Sequence, residues 1–510
     1  MSENSTLEEA LRAYDERRYL EAFTLAHRIG PTDDHRLVLL IARLAAIGGD
    51  TLGACATYRS LLSRIELPEA RAELTDLLAR RPHPARAMNA FAAIVAEHPD
   101  IVDDSCAPGV QTPLPDSAEV KETLGTILID DPVHAGALAG LANLAVREDR
   151  YAQAAHGYRR SLALEPGNVC RRLRLAEVLF DLGECEASFD EFERVFSSQS
   201  YFAATAADRS SRVLLLYAPL PWRMNTRFDF LLQTLPYDVL YLTSDEVLDA
   251  IDASHYQRIV SCIGAHDVAS DARAILTRWI RRSGMRVSNP PEAIEALSRT
   301  SLAPSLQGLP GFFAAPTMRV ARDSLAELAL PTIIRPPDSH AGRGLARLTT
   351  PENLAEYLRN HDELEFDVSA YIEYRSDDGY YRKFRIVIID GIAYPYHLAI
   401  SQHWMVHYLS ADMKSDAWRR DEEAAFLADP SSHIAHFATR FSSLATHLGL
   451  EYCALDCTMI GDDIFVFEID ATMLIHVRED DPIFAYRVPY VETIAKNARE
   501  WLCREGRKRL

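Results

Sequence analysis

Apolar positions recur on one helical face through the first part of the chain. The stretch "ALAGLANLAVREDRYAQAAHGYRRSLALEP", residues 137–166, shows the pattern most clearly and ends at Pro166. Its small or apolar positions are Leu138, Leu141, Ala142, Ala145, Ala154, Tyr158 and Ser161. This spacing predicts two amphipathic helices that cross where their side chains are small, with the proline ending the pair.

The pattern returns about 34 residues later, which is a period typical of helical repeats. The repeated positions are Leu175, Ala176, Leu179, Ser188 and Phe192. Helix pairs with this period resemble the tetratricopeptide repeat, and looser copies lie at 11–26 and 41–62. The resemblance implies that residues 1–205 form an all-α solenoid with a concave groove.

Two roles are open for this repeat region. Its groove could hold a peptide or protein substrate, or the array could act as a spacer or dimerise the chain as a homo-oligomer. Both roles are open because a repeat fold does not specify a ligand. The segment 99–117, "PDIVDDSCAPGVQTPLPDS", is rich in Pro, Asp and Ser. Its composition predicts a loop that interrupts the helical array.

The hydrophobic period changes after about residue 210. Short β-rich runs, "RVLLLYAPL", "YDVLYLT" and "YQRIVSCIG", are separated by helix-length stretches such as "VASDARAILTRWIRRSG". Alternating strands and helices predict a mostly parallel α/β layer over residues 211–315. A further α/β section follows over 316–505. The predicted fold is therefore multidomain, with tetratricopeptide-like helical repeats followed by an α/β (α+β) region.

Composition and charge exclude several classes of partner. The 510 residues include 54 Lys and Arg against 74 Asp and Glu, a net charge of −20. This balance argues against binding to nucleic acid or to an anionic membrane. The N-terminus has acidic residues and no apolar core, and no stretch approaches the roughly 20 apolar residues of a membrane helix. We therefore expect a cytoplasmic protein.

The cysteines predict no metal site. Eight cysteines are scattered without a CxxC pair. Cys453 and Cys457 lie four apart and share one face of a strand, but two ligands do not make a zinc site. Reduced core thiols are the expected state of these cysteines in a cytoplasmic protein.

The first candidate for chemistry is the stretch "LPTIIRPPDSHAGRGLARL", residues 329–347. A β-branched run ends at Arg335, and a loop follows that contains Ser339, His340, Gly342 and Gly344. Glycines let backbone N–H groups approach an anion closely, and arginine offers a fixed fork of donors to phosphate oxygens. The loop therefore either binds phosphate or is an ordinary hairpin loop.

The second candidate is "FDVSAYIEY", residues 366–374, a strand-like run with Glu373 near its end. The main chain of Ala370, Tyr371 and Ile372 could pair with the edge of a purine, and Glu373 or the Asp377-Asp378 pair could meet ribose hydroxyls. A core strand followed by an acidic turn is the alternative.

The third candidate is a predicted hairpin in "YYRKFRIVIIDGIAYPYHLAIS", residues 380–401. Asp390 and Gly391 form a strong turn signal between two apolar runs. Lys383 and Arg385 are two apart and so face the same side of the first strand. Such a pair needs an anionic partner such as phosphate, unless it is simply solvated at the surface.

The fourth candidate is a group of carboxylates in "YCALDCTMIGDDIFVFEIDATM", residues 452–473. Asp456 lies inside an apolar strand, and Glu468 and Asp470 share one face of the next strand beyond a Gly-Asp turn. If the strands pair, three carboxylates converge and repel one another unless a cation joins them. Mg²⁺ bridging carboxylates and phosphates satisfies this requirement, whereas a solvated sheet face is the alternative.

These four segments in this order resemble the ATP-grasp superfamily of carboxylate–amine ligases, in particular its glutathione-synthetase-like and ribosomal-protein glutamate ligase branch. The likeness covers about residues 211–500. The block from Asp456 to "EIDAT" resembles the metal motif of the family, with Asp470 where an asparagine is usual. Arg335 stands where the family has a lysine, and only Arg299 could replace its other phosphate-binding lysine.

The resemblance implies that ATP and Mg²⁺ are cofactors and that an amide forms through an acylphosphate. Arg335, Arg385 and Lys383 would stabilise the transferred phosphoryl group, with Asp456, Glu468 and Asp470 as metal ligands. The segment 396–408 would line the acceptor side. Its histidines, His397, His403 and His407, are candidate carboxylate binders or proton acceptors.

The implied substrates are a carboxylate on a peptide, protein or amino acid and a small amine or amino-acid co-substrate. The departures at Arg335, Asp470 and Arg299 fit either an unusual ligase or a protein that has lost turnover. Two alternatives stay open: a non-catalytic, nucleotide-binding repeat scaffold, and ATP-grasp phosphotransfer onto a hydroxyl.

Overall fold

The structure is a computed structural model. It describes residues 3–29, 34–48, 50–79, 84–97, 117–203, 212–228, 237–337, 339, 342–473, 475 and 481–504. The described residues divide into two compact units, the first ending at Glu191 and the second starting at Phe192. The loop predicted at 99–117 lies outside the described residues except for Ser117, which begins a helix.

The first unit is helical, as the periodicity predicts. Its helices are α1 (Glu3–Asp15), α2 (Tyr19–Ile29), α3 (His35–Ile47), α4 (Thr51–Leu62), α5 (Pro68–Ala79), α6 (Pro84–Glu97), α7 (Ser117–Asp130), α8 (Ala135–Arg147), α9 (Tyr151–Leu164) and α10 (Val169–Asp181). Helix α11 (Cys185–Phe196) spans the boundary between the units. The tetratricopeptide character of these helix pairs stays a prediction.

Small side chains let α8 and α9 approach closely. A Cβ atom added to Gly157 would lie 2.9 Å from the Cβ of Ala142, so the crossing point accepts only glycine without a shift. Ser161 Oγ of α9 donates to the carbonyl oxygen of Ala135 at 2.8 Å. The side chain of Asn168 accepts from the backbone N–H of Arg171 and caps the next helix. The predicted helix pair over 137–166 is therefore confirmed as two helices in contact.

The second unit begins with a four-stranded sheet. Its strands are β1 (Tyr201–Ala203), β2 (Arg212–Tyr217), β3 (Tyr237–Tyr241) and β4 (Tyr256–Ser261), in the order β1-β3-β2-β4. Strand β2 is parallel to β3 and β4, which confirms the predicted parallel layer, whereas β1 is antiparallel to β3. The helices here are α12 (Asp245–Asp249), α13 (Ser270–Ser283), α14 (Pro291–Glu295) and α15 (Arg299–Ser305).

A second sheet carries the first two candidate segments. Its strands are β6 (Thr317–Ala321), β7 (Thr332–Arg335), β8 (Ala346–Leu348) and β9 (Glu365–Ala370), antiparallel in the order β6-β9-β7-β8, with helix α16 (Pro351–Arg359). The predicted strand 366–374 is too long, because β9 ends at Ala370. Thr332 of β7 pairs with Ala370, and the residue before it is Pro331, which has no backbone N–H to extend the ladder.

A third sheet carries the other two candidate segments. Its strands are β5 (Phe312–Phe313), β10 (Tyr381–Ile389), β11 (Ile392–Ser401), β12 (Tyr452–Ile460) and β13 (Asp463–Asp470), in the order β11-β10-β12-β13-β5. The β10–β11 turn has positive φ at Asp390 (52°) and Gly391 (79°), as the sequence predicts. The β12–β13 turn consists of Gly461 and Asp462, so both predicted hairpins are confirmed.

One face of this third sheet is the main core of the unit. Alternate residues such as Ile386, Leu398 and Leu455 pack with aromatic side chains that include Phe426 and Phe441. The helices that follow the hairpins are α17 (Ala417–Ala428), α18 (Phe437–Leu448) and α19 (Val488–Cys503). Because side chains alternate along a strand, the polar candidates of β10 to β13 all lie on the opposite face.

The cysteines behave in two ways. Cys453 and Cys457 are buried and free, as predicted, and burial raises the pKa of Cys453 to about 12. Cys170, in contrast, is disulfide-bonded, so the prediction of reduced thiols is wrong at that position. Within the ranges that the structure describes, no helix has the length and apolar character needed to cross a membrane.

Candidate functional site

Four polar side chains form a row across the third sheet. His397 of β11 lies opposite Arg385 of β10, Arg385 lies opposite Asp456 of β12, and Asp456 lies opposite Glu468 of β13. Paired residues of neighbouring strands point to the same face of a sheet. The sheet therefore brings together residues that the sequence places in two separate hairpins.

Asp456 is the centre of this row. Its Oδ1 accepts from Arg385 Nε at 2.6 Å, and its Oδ2 accepts from Lys383 Nζ at 2.7 Å and from Arg385 Nη2 at 2.9 Å. Asp456 is only 1% exposed, and burial by itself raises the pKa of a carboxyl group. Arg385 and Lys383 outweigh burial and hold the pKa of Asp456 well below its ordinary value, so the carboxylate is charged.

The other two predicted metal ligands differ in their surroundings. Asp470 accepts the backbone N–H of Thr472 at 2.8 Å and its hydroxyl at 2.7 Å, one on each carboxylate oxygen. Glu468 makes no hydrogen bond or ion pair with any described residue. Its negative charge acts to raise the pKa of Arg335 and of Arg385, which favours their protonated forms.

These three carboxylates do not fit a magnesium site in their present arrangement. Magnesium requires oxygen ligands at about 2.0–2.1 Å in octahedral geometry. Both oxygens of Asp456 are bonded to cations, and both oxygens of Asp470 are bonded to Thr472. In the part of the chain that the structure describes, no group of three His, Cys, Asp or Glu residues is placed to hold a metal ion. Metal binding by Asp456, Glu468 and Asp470 stays a prediction.

A second group of cations lies at the end of β7. Arg335 Nε donates to Ser339 Oγ at 3.0 Å, and its Nη2 donates to the carbonyl oxygen of Ser339 at 2.5 Å. Arg299, at the start of α15, donates to the same carbonyl oxygen. Burial, with the nearby charge of Arg299, lowers the pKa of Arg335 to about 10. Two guanidinium groups therefore meet at one oxygen atom.

Asp367 supports this second group in the way that Asp456 supports the first. It lies on β9 opposite both Arg335 and Arg319 and is 2% exposed. Its carboxylate binds Arg319 at 2.7 Å and Arg299 at 3.2 Å. Asp367 and Arg319 are not among the candidates that the sequence motifs predict. The available signal was a carboxylate inside an apolar strand, "FDV", the same signal that identified Asp456.

The glycine loop after β7 has the backbone freedom that the sequence predicts. Gly342 and Gly344 have φ values of 73° and 64°. A Cβ atom on Gly344 would come within 2.5 Å of Pro336, so a larger residue would displace the loop. His340 lies outside the described residues.

The segment after β9 keeps Tyr371 and Glu373 in local contacts. The guanidinium of Arg347 lies 3.6 Å above the ring of Tyr371, and Tyr371 OH donates to Glu373 at 3.2 Å. Glu373 also accepts from the backbone N–H of Arg375 at 3.1 Å. Ala370 is the exposed last residue of β9, and Ile372 is half-buried in the segment that follows the strand. Nucleotide binding by 370–373 stays a prediction.

The histidines of 396–408 have different environments. His397 is 4% exposed and lies 4.7 Å from the ring of Tyr408. Burial and the charge of Arg385 place the pKa of His397 well below its ordinary value, and its Nδ1 has no partner among the described residues. Burial, Lys383 and Arg385 also lower the pKa of His407. Both imidazoles are therefore uncharged near neutral pH, whereas His403 is exposed.

The similarity of this chain to known proteins is to solved structures. No protein-family model and no curated protein matches the chain. Among solved structures, a RimK domain ATP-grasp protein from Sphaerobacter thermophilus is 14% identical, with 57% of this chain and 99% of that chain covered and a TM-score of 0.34. The D-alanine–D-alanine ligase from Bacillus anthracis in complex with ATP is 12% identical, with coverage of 56% and 98% and a TM-score of 0.32.

A third similar structure is the ATP-grasp ligase PsnB in complex with the precursor peptide PsnA2 and AMPPNP. It is 13% identical, with coverage of 58% of this chain and 99% of that chain and a TM-score of 0.31. Identities and TM-scores this low carry no argument about the activity of this chain. The site residues themselves must support any function.

Proposed function

We propose that the chain is an ATP-dependent ligase that forms an amide bond through an acylphosphate. The observation that carries the proposal is the meeting of Arg299 and Arg335 on the carbonyl oxygen of Ser339. Like charges held side by side disfavour each other, and the single carboxylate of Asp367, bound to Arg299, does not offset both of them. In a chain of net charge −20, such a local excess of cations suits a phosphate-bearing ligand.

Arginine suits the phosphates of ATP because its planar guanidinium offers two parallel donors to two oxygens. Arg335 would bind these oxygens together with Arg299 at the start of the glycine loop. Backbone N–H groups at Gly342 and Gly344 would cover the terminal phosphate. The main chain of 370–373 would meet the adenine, with Glu373 near the ribose.

The proposed reaction has two steps. An oxygen of the substrate carboxylate attacks the γ-phosphorus, the bond to the β-phosphate oxygen breaks, and ADP leaves. The amine nitrogen then attacks the acyl carbon of the mixed anhydride, and inorganic phosphate leaves with the bonding electrons. Lys383, Arg385 and Arg335 would stabilise the negative charge on the phosphoryl oxygens during transfer.

Magnesium enters this proposal only as the ion that accompanies ATP as its substrate complex. The arrangement around Asp456 and Asp470 does not fit a resident three-carboxylate magnesium site, so no step depends on one. The cations of the chain perform the charge neutralisation described above.

Two histidines would act on the acceptor side. His407 is uncharged and lies within the electrostatic reach of Lys383 and Arg385, so it can accept the proton that the amine releases. His397 is too buried to touch a substrate and lies directly opposite Arg385, so we assign it a positioning role.

The helical repeats would present a peptide or protein carboxylate to this site, with a small amine or amino acid as the second substrate. In this proposal residues 1–205 form the repeat domain, 211–315 an α/β subdomain and 316–505 the ATP-grasp catalytic domain. A long groove suits an extended chain, whereas a small substrate needs only an ordinary pocket.

The test uses ADP release by the full-length chain. A ligase of this mechanism releases ADP over many turnovers only when a carboxylate and an amine are both present, because without the amine the reaction stops at the acylphosphate. ADP release with an alcohol alone would identify a phosphotransferase, and ATP binding without ADP release in any mixture would identify a scaffold. Failure to bind ATP at all would exclude all three.

A further inference from the structure

A side chain of the protein fills the cation position beside Asp456. Lys383 Nζ lies 2.7 Å from Oδ2, and Arg385 Nε lies 2.6 Å from Oδ1. The sequence resemblance predicts a divalent ion in contact with this carboxylate. The geometry and that prediction therefore disagree.

We propose that the ammonium group of Lys383 takes the place of a metal ion on Asp456. Asp456 is then a positioning residue that holds two cations, and it does not ligate a divalent ion. The inference rests on the proposed function, because the ligand that these cations meet is the phosphate chain of a nucleotide.

The charges around Asp456 oppose a metal ion. Lys383 and Arg385 carry two positive charges against the single negative charge of this carboxylate. A magnesium ion bonded to the same oxygens would lie beside two groups of its own sign. It could bind only by displacing Lys383 from a carboxylate that is 1% exposed, where charged hydrogen bonds are stronger than in water.

The backbone of the sheet holds both cations in place. Arg385 lies directly opposite Asp456 across β10 and β12, and Lys383 lies on the same face of β10 two residues earlier. The fork of Arg385 binds both carboxylate oxygens, which fixes its plane as well as its distance. The arrangement follows from the pairing of β10 with β12.

Lys383 keeps donors for a ligand. An ammonium group has three N–H donors, and among the described residues Lys383 uses one of them, on Asp456. Its side chain is 14% exposed, so it is enclosed but not sealed from the site. The two remaining N–H groups can donate to phosphate oxygens, which is the role that the predicted metal ion would have.

Of the other two predicted metal ligands, Asp470 and Glu468, only Glu468 has carboxylate oxygens that accept no hydrogen bond from a described residue. Asp470 is occupied by Thr472, and Glu468 is the one predicted ligand without a hydrogen bond or ion pair in the described ranges. Magnesium often reaches a protein with the substrate phosphates and touches only one or two carboxylates. Glu468 fits such a single contact, whereas Asp456 does not.

The test measures equilibrium binding of Mn²⁺ to the full-length chain without nucleotide. The paramagnetic resonance signal of free Mn²⁺ gives the fraction that is not bound. Mn²⁺ is used in place of Mg²⁺ because it binds the same oxygen ligands. The variants are Lys383→Met, the double variant Lys383→Met/Asp456→Asn, and Lys496→Met as the matched control. The side chain of Lys496 is 71% exposed and lies on α19.

Lys383→Met should create a Mn²⁺ site with a dissociation constant at least about tenfold lower than that of the wild type, because the two negative charges of Asp456 and Glu468 then face only the single positive charge of Arg385. The double variant should lose this gain, and Lys496→Met should match the wild type. The proposal would be overturned if Lys383→Met bound Mn²⁺ no more tightly than the wild type.

A second measurement keeps the test decisive if Lys383→Met does not fold. The thermal midpoint of the wild-type chain should be the same in 1 mM Mg²⁺ and in chelator, at roughly physiological ionic strength, because a ligand that does not bind the folded state does not stabilise it. A higher midpoint in Mg²⁺ would overturn the proposal. Neither measurement contains nucleotide, so failure of the ligase function leaves both results unaffected.

Discussion

Arg385 and Asp456 lie directly opposite each other on β10 and β12, and the guanidinium binds both carboxylate oxygens, at 2.6 and 2.9 Å. The two residues are 71 positions apart in the sequence. Their pairing joins the two hairpins of the third sheet at the centre of the polar row. The position of Arg385 at the site is therefore set by the register of the sheet.

Removing this guanidinium should destabilise the second unit. In Arg385→Met, Asp456 keeps only Lys383, and breaking a buried charged pair typically costs 3–5 kcal/mol, so we expect a loss of about 3 kcal/mol. Denaturant unfolding followed by tryptophan fluorescence measures it. All 5 tryptophans lie beyond residue 211, so the signal reports the second unit.

Arg375→Met is the matched control for this loss. Arg375 pairs with Glu373 at 3.7 Å, and both side chains are about half exposed, at 53% and 47%. An exposed pair contributes little, so this variant should stay within about 0.5 kcal/mol of the wild type. Equal stability of the two variants would contradict the structural role of Arg385.

The two arginines at Ser339 should contribute to nucleotide binding. Arg335→Met and Arg299→Met should each weaken ATP binding by about 1–3 kcal/mol, the range for a charge-assisted hydrogen bond. Arg335→Lys should also bind more weakly, because lysine keeps the charge but lacks the planar fork. Titration calorimetry with the full chain measures these constants.

The control for nucleotide binding is Arg359→Met, at the exposed end of α16. It removes the same charge from the same unit without touching Ser339, so ATP affinity should not change. If Arg359→Met and Arg335→Met weaken binding equally, the effect is general electrostatics and the assigned phosphate contact is wrong.

The buried histidine should make the stability of the second unit depend on pH. Because the folded chain holds His397 uncharged, its pKa lies well below the ordinary 6.5. Below about pH 6.5 the unfolded chain gains a proton there that the folded chain does not, so the free energy of unfolding falls by up to about 1.4 kcal/mol per pH unit. Above that pH the full contribution of the neutral ring is present.

His397→Gln should therefore reduce the slope of unfolding free energy against pH between about 6.5 and 5. His255→Gln, which changes an exposed histidine of 73% side-chain exposure, should leave the slope unchanged. Tryptophan fluorescence in urea at several pH values provides the slope. An unchanged slope in His397→Gln would show that the ring titrates normally in the folded chain.

Much of the third sheet could be predicted from local patterns. Apolar runs separated by Asp390-Gly391 or by the turn at Gly461 identify hairpins, and the two-residue period places Lys383 beside Arg385 on one face. These features depend on neighbours in the sequence, which the sequence displays directly.

The pairing between hairpins could not be predicted in the same way. Whether Asp456 meets a metal or a cation depends on the register of β10 against β12, which is a long-range property. The same limit applies to Asp367, whose partners Arg299 and Arg319 are 68 and 48 residues away. Sequence patterns identify buried charges but do not identify their partners.

The role of the helical repeats can be tested by truncation. Phe196 of α11 lies 4.5 Å from the ring of Tyr241, so the cut should leave α11 whole. A chain of residues 184–510 should bind ATP as the full chain does, but its kcat/KM for a peptide substrate should fall at least about tenfold, because the tethered groove raises the local peptide concentration.

The control for truncation is turnover of a small carboxylate with the same chain. Its kcat/KM should not change, because a small substrate does not use the groove. Equal kcat/KM for the peptide in both chains would contradict substrate presentation and would leave the repeats as a spacing or dimerisation device.

The acylphosphate itself provides the most direct test of the ligase proposal. Hydroxylamine traps an acylphosphate as a hydroxamate, so the full chain is incubated with ATP, Mg²⁺, hydroxylamine and pools of amino acids and peptides. We predict that hydroxamate forms in equal amount to ADP and that Arg335→Met reduces both, whereas Arg359→Met reduces neither. ADP release without hydroxamate in every carboxylate pool, or ADP release that requires only a hydroxyl compound, would contradict the proposed function.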